Sequence, residues 1–92
     1  MKITEIVLQL NGFKCKDGVW SKIYFIFDRD DVYERIIKTL HLEEWKNGWD
    51  VEISECYRNE LKPTLVNICT LKNFKQLQDL YYIISNERLL TI

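Results

Sequence analysis

The sequence predicts an α+β fold, a two-layer sandwich in which two helices cover one face of a mainly antiparallel sheet. Several segments alternate apolar and polar residues with the period of two that is typical of strands. Two other segments place apolar residues at helical spacing behind a capping side chain. No linker divides the 92 residues, so we expect a single domain over residues 1–92 with the order β-β-α-β-β-α-β.

The chain is predicted to begin with a hairpin of two strands, residues 3–10 and 19–27. Two dipeptides between them, Asn11-Gly12 and Asp17-Gly18, can each form a type I′ turn. We favour Asp17-Gly18, which pairs residues 8–16 with 19–27 and makes Asn11-Gly12 a bulge. With Asn11-Gly12 as the turn, residues 13–16 would form a short middle strand.

A helix is predicted next, beginning at Asp28 as the N-cap. The acidic residues after Asp28 suit a first turn because carboxylates oppose the helix dipole. The helix is expected to end between residues 41 and 47, with Lys46-Asn47-Gly48 as its latest stop. Its buried stripe would consist of Val32, Tyr33, Ile36, Ile37 and Leu40.

The second half of the chain repeats this alternation of strands and helix. Residues 49–57 and 65–71 are predicted strands, joined by a turn over residues 58–63 that contains the single proline. Asn73 with Gln76 resembles a capping box, and Asn86 is expected to end the helix. Residues 88–92 are predicted to form a final strand. The stripe of the second helix is Phe74, Leu77, Leu80, Tyr81 and Ile84.

Composition excludes several classes of protein. No apolar run is longer than five residues, the length of residues 23–27, which is far below a membrane span. Glu5 interrupts the apolar segment that a secretion signal would need, and three cysteines without a C-x-x-C pair favour a reducing compartment, so we expect a cytoplasmic protein. Thirteen basic and 14 acidic residues give a net charge of −1, which disfavours general nucleic-acid binding.

The residues that could support catalysis do not form a recognisable motif. His41 is the only histidine, and its predicted position near a helix end favours a structural role. No serine lies in a G-x-S-x-G elbow, and no glycine-rich phosphate loop occurs. We therefore expect a protein that is not an enzyme, has no catalytic residues and binds no cofactor or metal.

Charge is concentrated in the middle of the chain, where residues 28–60 hold ten acidic and five basic residues. An acidic surface with tryptophans beside it fits a protein partner that has a basic surface. The primary hypothesis is thus a small binding domain that acts by surface complementarity. Its predicted contact residues are Asp30, Asp31, Glu34, Glu43, Glu44, Trp45, Trp49, Asp50 and Glu52.

Two alternatives use other residues. A regulator that binds single-stranded nucleic acid would use lysines interleaved with rings in the hairpin, namely Lys14, Lys16, Trp20 and Lys22. A Mg²⁺-dependent nuclease would use Asp28, Asp50 and Glu52. A homodimer is left open in every case, because the sheet must have edges.

The stretch Lys46-Asn47-Gly48-Trp49-Asp50 resembles a short segment of acidic, phage-encoded inhibitors of CRISPR nucleases. The resemblance covers five residues and assigns no function. A compact chain with an acidic middle region and no catalytic motif is compatible with an inhibitor of a host defence complex, carried by a phage or mobile element, and we include this form of binding protein in the primary hypothesis.

Overall fold

A computed structural model describes residues 1–29, 34–57 and 64–91, with the side chains of Arg29 and Glu34 also outside the description. The elements are α1 (Glu5–Leu10), β1 (Lys14–Lys16), β2 (Val19–Arg29), β3 (Glu34–Trp45), β4 (Gly48–Tyr57), β5 (Thr64–Leu71) and α2 (Phe74–Ser85). The predicted order β-β-α-β-β-α-β is therefore wrong. The observed architecture is a five-stranded antiparallel sheet, in sequence order β1 to β5, with a short helix before it and a longer helix after it.

Residues 5–10 form α1 and not the predicted strand. Thr4 caps the helix, because its Oγ1 accepts a hydrogen bond from the Val7 N–H at 3.2 Å. Asn11 follows as the C-cap, and Gly12 adopts a φ of +81°, a left-handed conformation that glycine tolerates. The dipeptide Asn11-Gly12 thus ends a helix, whereas Asp17-Gly18 connects β1 to β2, as favoured from the sequence. Of the residues 8–16 that were predicted to pair with this strand, only residues 14–16 do so.

The helix predicted to begin at Asp28 is absent from the described residues, where β2 and β3 form a long hairpin arm. Asp28 lies in β2 opposite Arg35, and β3 pairs with β2 on one side and β4 on the other. The spacing of Ile36, Ile37 and Leu40 suits a helix, but Leu40 and Leu42 also alternate with polar neighbours, and burial follows that period of two. Val32 and Tyr33 of the predicted stripe lie outside the described residues.

Lys46 and Asn47 form the turn between β3 and β4, where a helix end was predicted. The next residue, Gly48, has a φ of +144°, and a Cβ added there would lie 2.5 Å from the carbonyl oxygen of Leu71. Any side chain at this position would therefore displace the neighbouring backbone of β5.

The predicted strands over residues 49–57 and 65–71 are confirmed as β4 and β5, and the predicted second helix is confirmed as α2. Asn73 Oδ1 accepts from the Gln76 N–H at 2.9 Å, which is the expected cap, and Asn86 ends the helix in a left-handed conformation. The predicted turn over residues 58–63 lies outside the described residues.

The described part of the final predicted strand, residues 88–91, has no regular secondary structure. It is held instead by Asn11, whose side chain donates to the Leu90 carbonyl at 2.8 Å and accepts from the Leu90 N–H at 2.6 Å. The Gln78 side chain donates to the Leu89 carbonyl, and the Leu89 side chain is buried. These contacts satisfy backbone groups that a strand would have paired.

Both helices contribute to one hydrophobic core on one side of the sheet, which we call the covered face. Val7 and Leu8 of α1 and Leu77 and Tyr81 of α2 are fully or almost fully buried against it. Neither helix among the described residues has the length and apolar character needed to span a lipid bilayer. The strand residues of the covered face include Trp20, Leu40, Leu42, Trp49, Val51 and Leu71.

Candidate functional site

The opposite side of the sheet, which we call the open face, carries the side chains that alternate with the core. Its register aligns Ser21 with His41 and Glu52 across β2, β3 and β4. The neighbouring row aligns Val19 with Glu43 and Asp50. In the described part of the chain, the helix residues of the core pack on the covered face and not on this surface.

A shallow cavity of about 300 Å³ lies on the open face. Among the described residues that line it, three have carboxylate side chains and none is a lysine or arginine. Glu43 and Asp50 are directly opposite each other on adjacent strands, an arrangement in which like charges repel. The cavity is therefore a site of negative charge in a protein of almost balanced composition. It is lined by Val19, His41, Glu43, Trp45, Asp50, Glu52 and Leu65.

His41 forms the polar centre of this surface. Its Nδ1 lies 2.7 Å from Ser21 Oγ, and its Nε2 lies 2.8 Å from Ser54 Oγ. A neutral imidazole donates from one nitrogen and accepts at the other, so the two contacts form one directional chain across three strands. Ser54 is buried although it lies on the open face, and its hydroxyl is satisfied through this contact.

Partial burial lowers the pKa of His41 below its ordinary value of 6.5, and the negative charge of Glu52 partly opposes that effect. The histidine is therefore neutral at pH 7. His41 therefore contributes hydrogen bonding and no positive charge to the cavity.

The contact between His41 and a serine is of the kind that activates a nucleophile. Acyl transfer also requires donors for the developing oxyanion. His41 lies on the central strand of the sheet, which pairs with both of its neighbours, so the backbone amides around it take part in the ladder. In the described residues the two hydrogen bonds to Ser21 and Ser54 fix the His41 ring on the sheet surface.

The structure brings together four of the nine residues predicted to bind a partner: Glu43, Trp45, Asp50 and Glu52. Trp45 is 58% exposed at the end of β3, whereas Trp49 is 6% exposed and belongs to the core. Glu44 alternates with Glu43 and so lies on the other side of the sheet. Asp30, Asp31 and the Glu34 side chain lie outside the described residues.

Sequence reasoning missed the roles of His41, Ser21 and Ser54 at this surface. A usable signal was present, because His41, Glu43 and Trp45 follow one another at every second position. The helix predicted over this segment would not place these three side chains on one face, so the prediction did not show that they share a surface.

The carboxylates of the nuclease hypothesis do not come together. Asp28 pairs with Arg35, six residues along β3 from His41, which corresponds to about 20 Å from the row that contains Glu52. Across residues 1–29, 34–57 and 64–91, no group of three or more histidine, cysteine or acidic side chains has the geometry to hold a metal ion.

The residues of the nucleic-acid hypothesis are dispersed. Trp20 is buried in the core and cannot stack on a base. Lys22 donates to the Asn11 carbonyl at 2.6 Å, and its ammonium lies 5.0 Å from the centre of the Tyr81 ring. Lys14 and Lys16 are exposed on β1, but the one aromatic residue of the hypothesis, Trp20, is not exposed beside them.

Comparison with known proteins gives no further assignment. No protein-family model, no curated protein and no solved structure matches this chain.

Proposed function

We propose that the protein is a non-enzymatic binding domain whose open face accepts a basic segment of a partner protein. The single observation that supports this proposal is the cavity on the open face, where three carboxylates and the exposed ring of Trp45 surround a space whose described lining residues include no lysine or arginine. The relevant side chains are Glu43, Trp45, Asp50 and Glu52.

Glu43 and Asp50 lie opposite each other, an arrangement in which like charges repel, and the described residues of the cavity lining include no lysine or arginine. A lysine or arginine from a partner would remove that repulsion. The ring of Trp45 adds a second attraction, since a cation over an indole face is stabilised by the ring's electrons. Exposed tryptophan is also among the residues that most often dominate protein interfaces.

Electrostatic complementarity of this kind accelerates association with basic surfaces. Surfaces that normally receive nucleic acid are strongly basic, and they form one class of partner for this cavity. The inhibitor of a host defence complex expected from the sequence would act in this way, by occupying such a basic groove.

The test is a pull-down with the tagged protein from nuclease-treated lysate, followed by mass spectrometry. We expect a stoichiometric protein partner that nuclease treatment does not remove and that salt releases progressively. Glu52→Lys and Trp45→Ala should each weaken capture at least about tenfold, as loss of an interface hot spot does.

Asp79→Lys is the matched control for charge reversal, because Asp79 is an exposed acid on α2, away from the cavity. It should leave capture unchanged, and circular dichroism should show that all variants are folded. Capture that survives Glu52→Lys at low salt, or that disappears with nuclease, would contradict the proposal and favour nucleic-acid binding instead.

A further inference from the structure

The two edges of the sheet differ in length and charge. β1 has three residues, of which Lys14 and Lys16 are charged. β5 has eight residues, Thr64–Leu71, and is the one strand among those that the structure describes with no charged residue. Short, lysine-bearing edges resist pairing with another chain, whereas long, uncharged edges favour it.

β5 also exposes apolar side chains on both sides of the sheet. Leu65 projects on the open face and is 59% exposed, and Val66 projects on the opposite side and is 51% exposed. A register shift leaves Ile68 without a partner on β4, so β5 has two regularly paired parts, residues 64–67 and residues 69–71, and the first of them is the more exposed. No further strand lies beyond β5 in the part of the chain that the structure describes.

We propose that two copies of the chain pair through β5, in antiparallel orientation, to form one continuous ten-stranded sheet. A second copy fits because residues 64–67 contain threonine, leucine, valine and asparagine only, so self-pairing brings no like charges together. Each copy also covers the exposed Leu65 and Val66 of the other. The interface is smaller than a standard one, and the dimer therefore depends on concentration.

This geometry determines where the cavities lie. Antiparallel pairing of identical edges requires a two-fold axis perpendicular to the sheet, so both open faces point to the same side. With strands about 4.8 Å apart, the two acidic cavities are separated by about 20 Å across the strands, besides any offset along them. This last consequence rests on the proposed function; the dimer does not.

The dimer is tested with the purified protein alone, by sedimentation equilibrium over a wide concentration range. The average mass should rise from 11.1 kDa towards twice that value. Val66→Lys and Val66→Glu should each prevent association, and mixing the two variants should restore it. Ile83→Lys, at a residue that is 78% exposed on α2, introduces the same charge elsewhere and should still dimerise.

A second measurement needs no variant. Hydrogen exchange of the native protein should slow at residues 64–67 as concentration rises, while exchange on the outer side of β1 stays constant. A protein that remains monomeric up to about millimolar concentration overturns the proposal, as does equal loss of association in Val66→Lys and Ile83→Lys. Because no partner is present in either measurement, failure here is distinct from failure of the proposed binding function.

Discussion

The two faces of the sheet are built from the same strands and have opposite chemistry. On β3, Leu40 and Leu42 point into the core, while His41 and Glu43 point to the open face. One face is covered by both helices and supplies most of the stability, and the other holds polar groups that the fold does not need for burial. The contrast teaches that stability depends mainly on every second residue of these strands. Most of the alternate residues are therefore available for binding.

The largest difference between the faces should be seen on truncation of apolar side chains. Leu42→Ala removes a fully buried side chain and should lower the free energy of unfolding by about 2–5 kcal/mol. Ile23→Ala, on the open face and already half exposed, should cost less than about 1 kcal/mol. Urea denaturation of both variants measures the two effects. Equal losses would show that the open face is covered in solution.

Loss of a hydroxyl should have an intermediate effect. Ser54→Ala leaves one nitrogen of His41 without its partner in a poorly solvated position, and we expect a cost of about 1–3 kcal/mol. Ser21→Ala removes the other contact of the same ring, but Ser21 is more accessible and water can replace its hydroxyl. Its cost should be smaller, again measured by denaturation. The reverse order would mean that Ser21 is the critical partner.

The smallest effect should be a pH dependence of stability. His41 has a lowered pKa in the folded state, so the unfolded chain binds more protons between that pKa and 6.5. Its contribution to stability is complete above about pH 6.5 and is lost as the pH falls from there to the lowered folded pKa. His41→Gln should remove this part of the pH profile of the urea midpoint. An unchanged profile would contradict the lowered pKa of His41 in the folded state.

Sequence reasoning succeeded where local chemistry and tertiary packing agree. Asn73 and Gln76 cap α2 as predicted, and the apolar stripe behind them faces the core. The alternation over residues 49–57 predicted β4 for the same reason. In these segments the local sequence pattern and the burial of side chains in the core favour the same secondary structure.

It failed where one pattern fits two periods. The spacing of Ile36, Ile37 and Leu40 fits a helix. The segment nevertheless forms the central strand β3, because pairing with both β2 and β4 stabilises the extended conformation. In α1 the start and stop signals Thr4 and Gly12 were present, yet the alternation of Ile6, Leu8 and Leu10 outweighed them in the prediction. Ile6 and Leu10 are in fact exposed.

The site was predictable in composition and not in arrangement. An acidic region with an exposed tryptophan was expected, and Trp45 meets that description. Trp49 is buried because β4 begins at Gly48 and its first large side chain points to the covered face. Which of the acids share a surface depends on strand register, a property of three strands that no single segment encodes.

The Asn11 side-chain amide bonds to the backbone of Leu90, 79 positions further along the chain, whereas each of the pairs β2–β3, β3–β4 and β4–β5 joins strands that follow one another in the chain. Contacts of short separation form early in folding, and those that close long loops form late. The sheet can therefore assemble while α1 and residues 88–91 are still undocked. We therefore expect the Asn11 contact to form late in folding, so that weakening it should shorten the lifetime of the native state more than it slows the formation of that state.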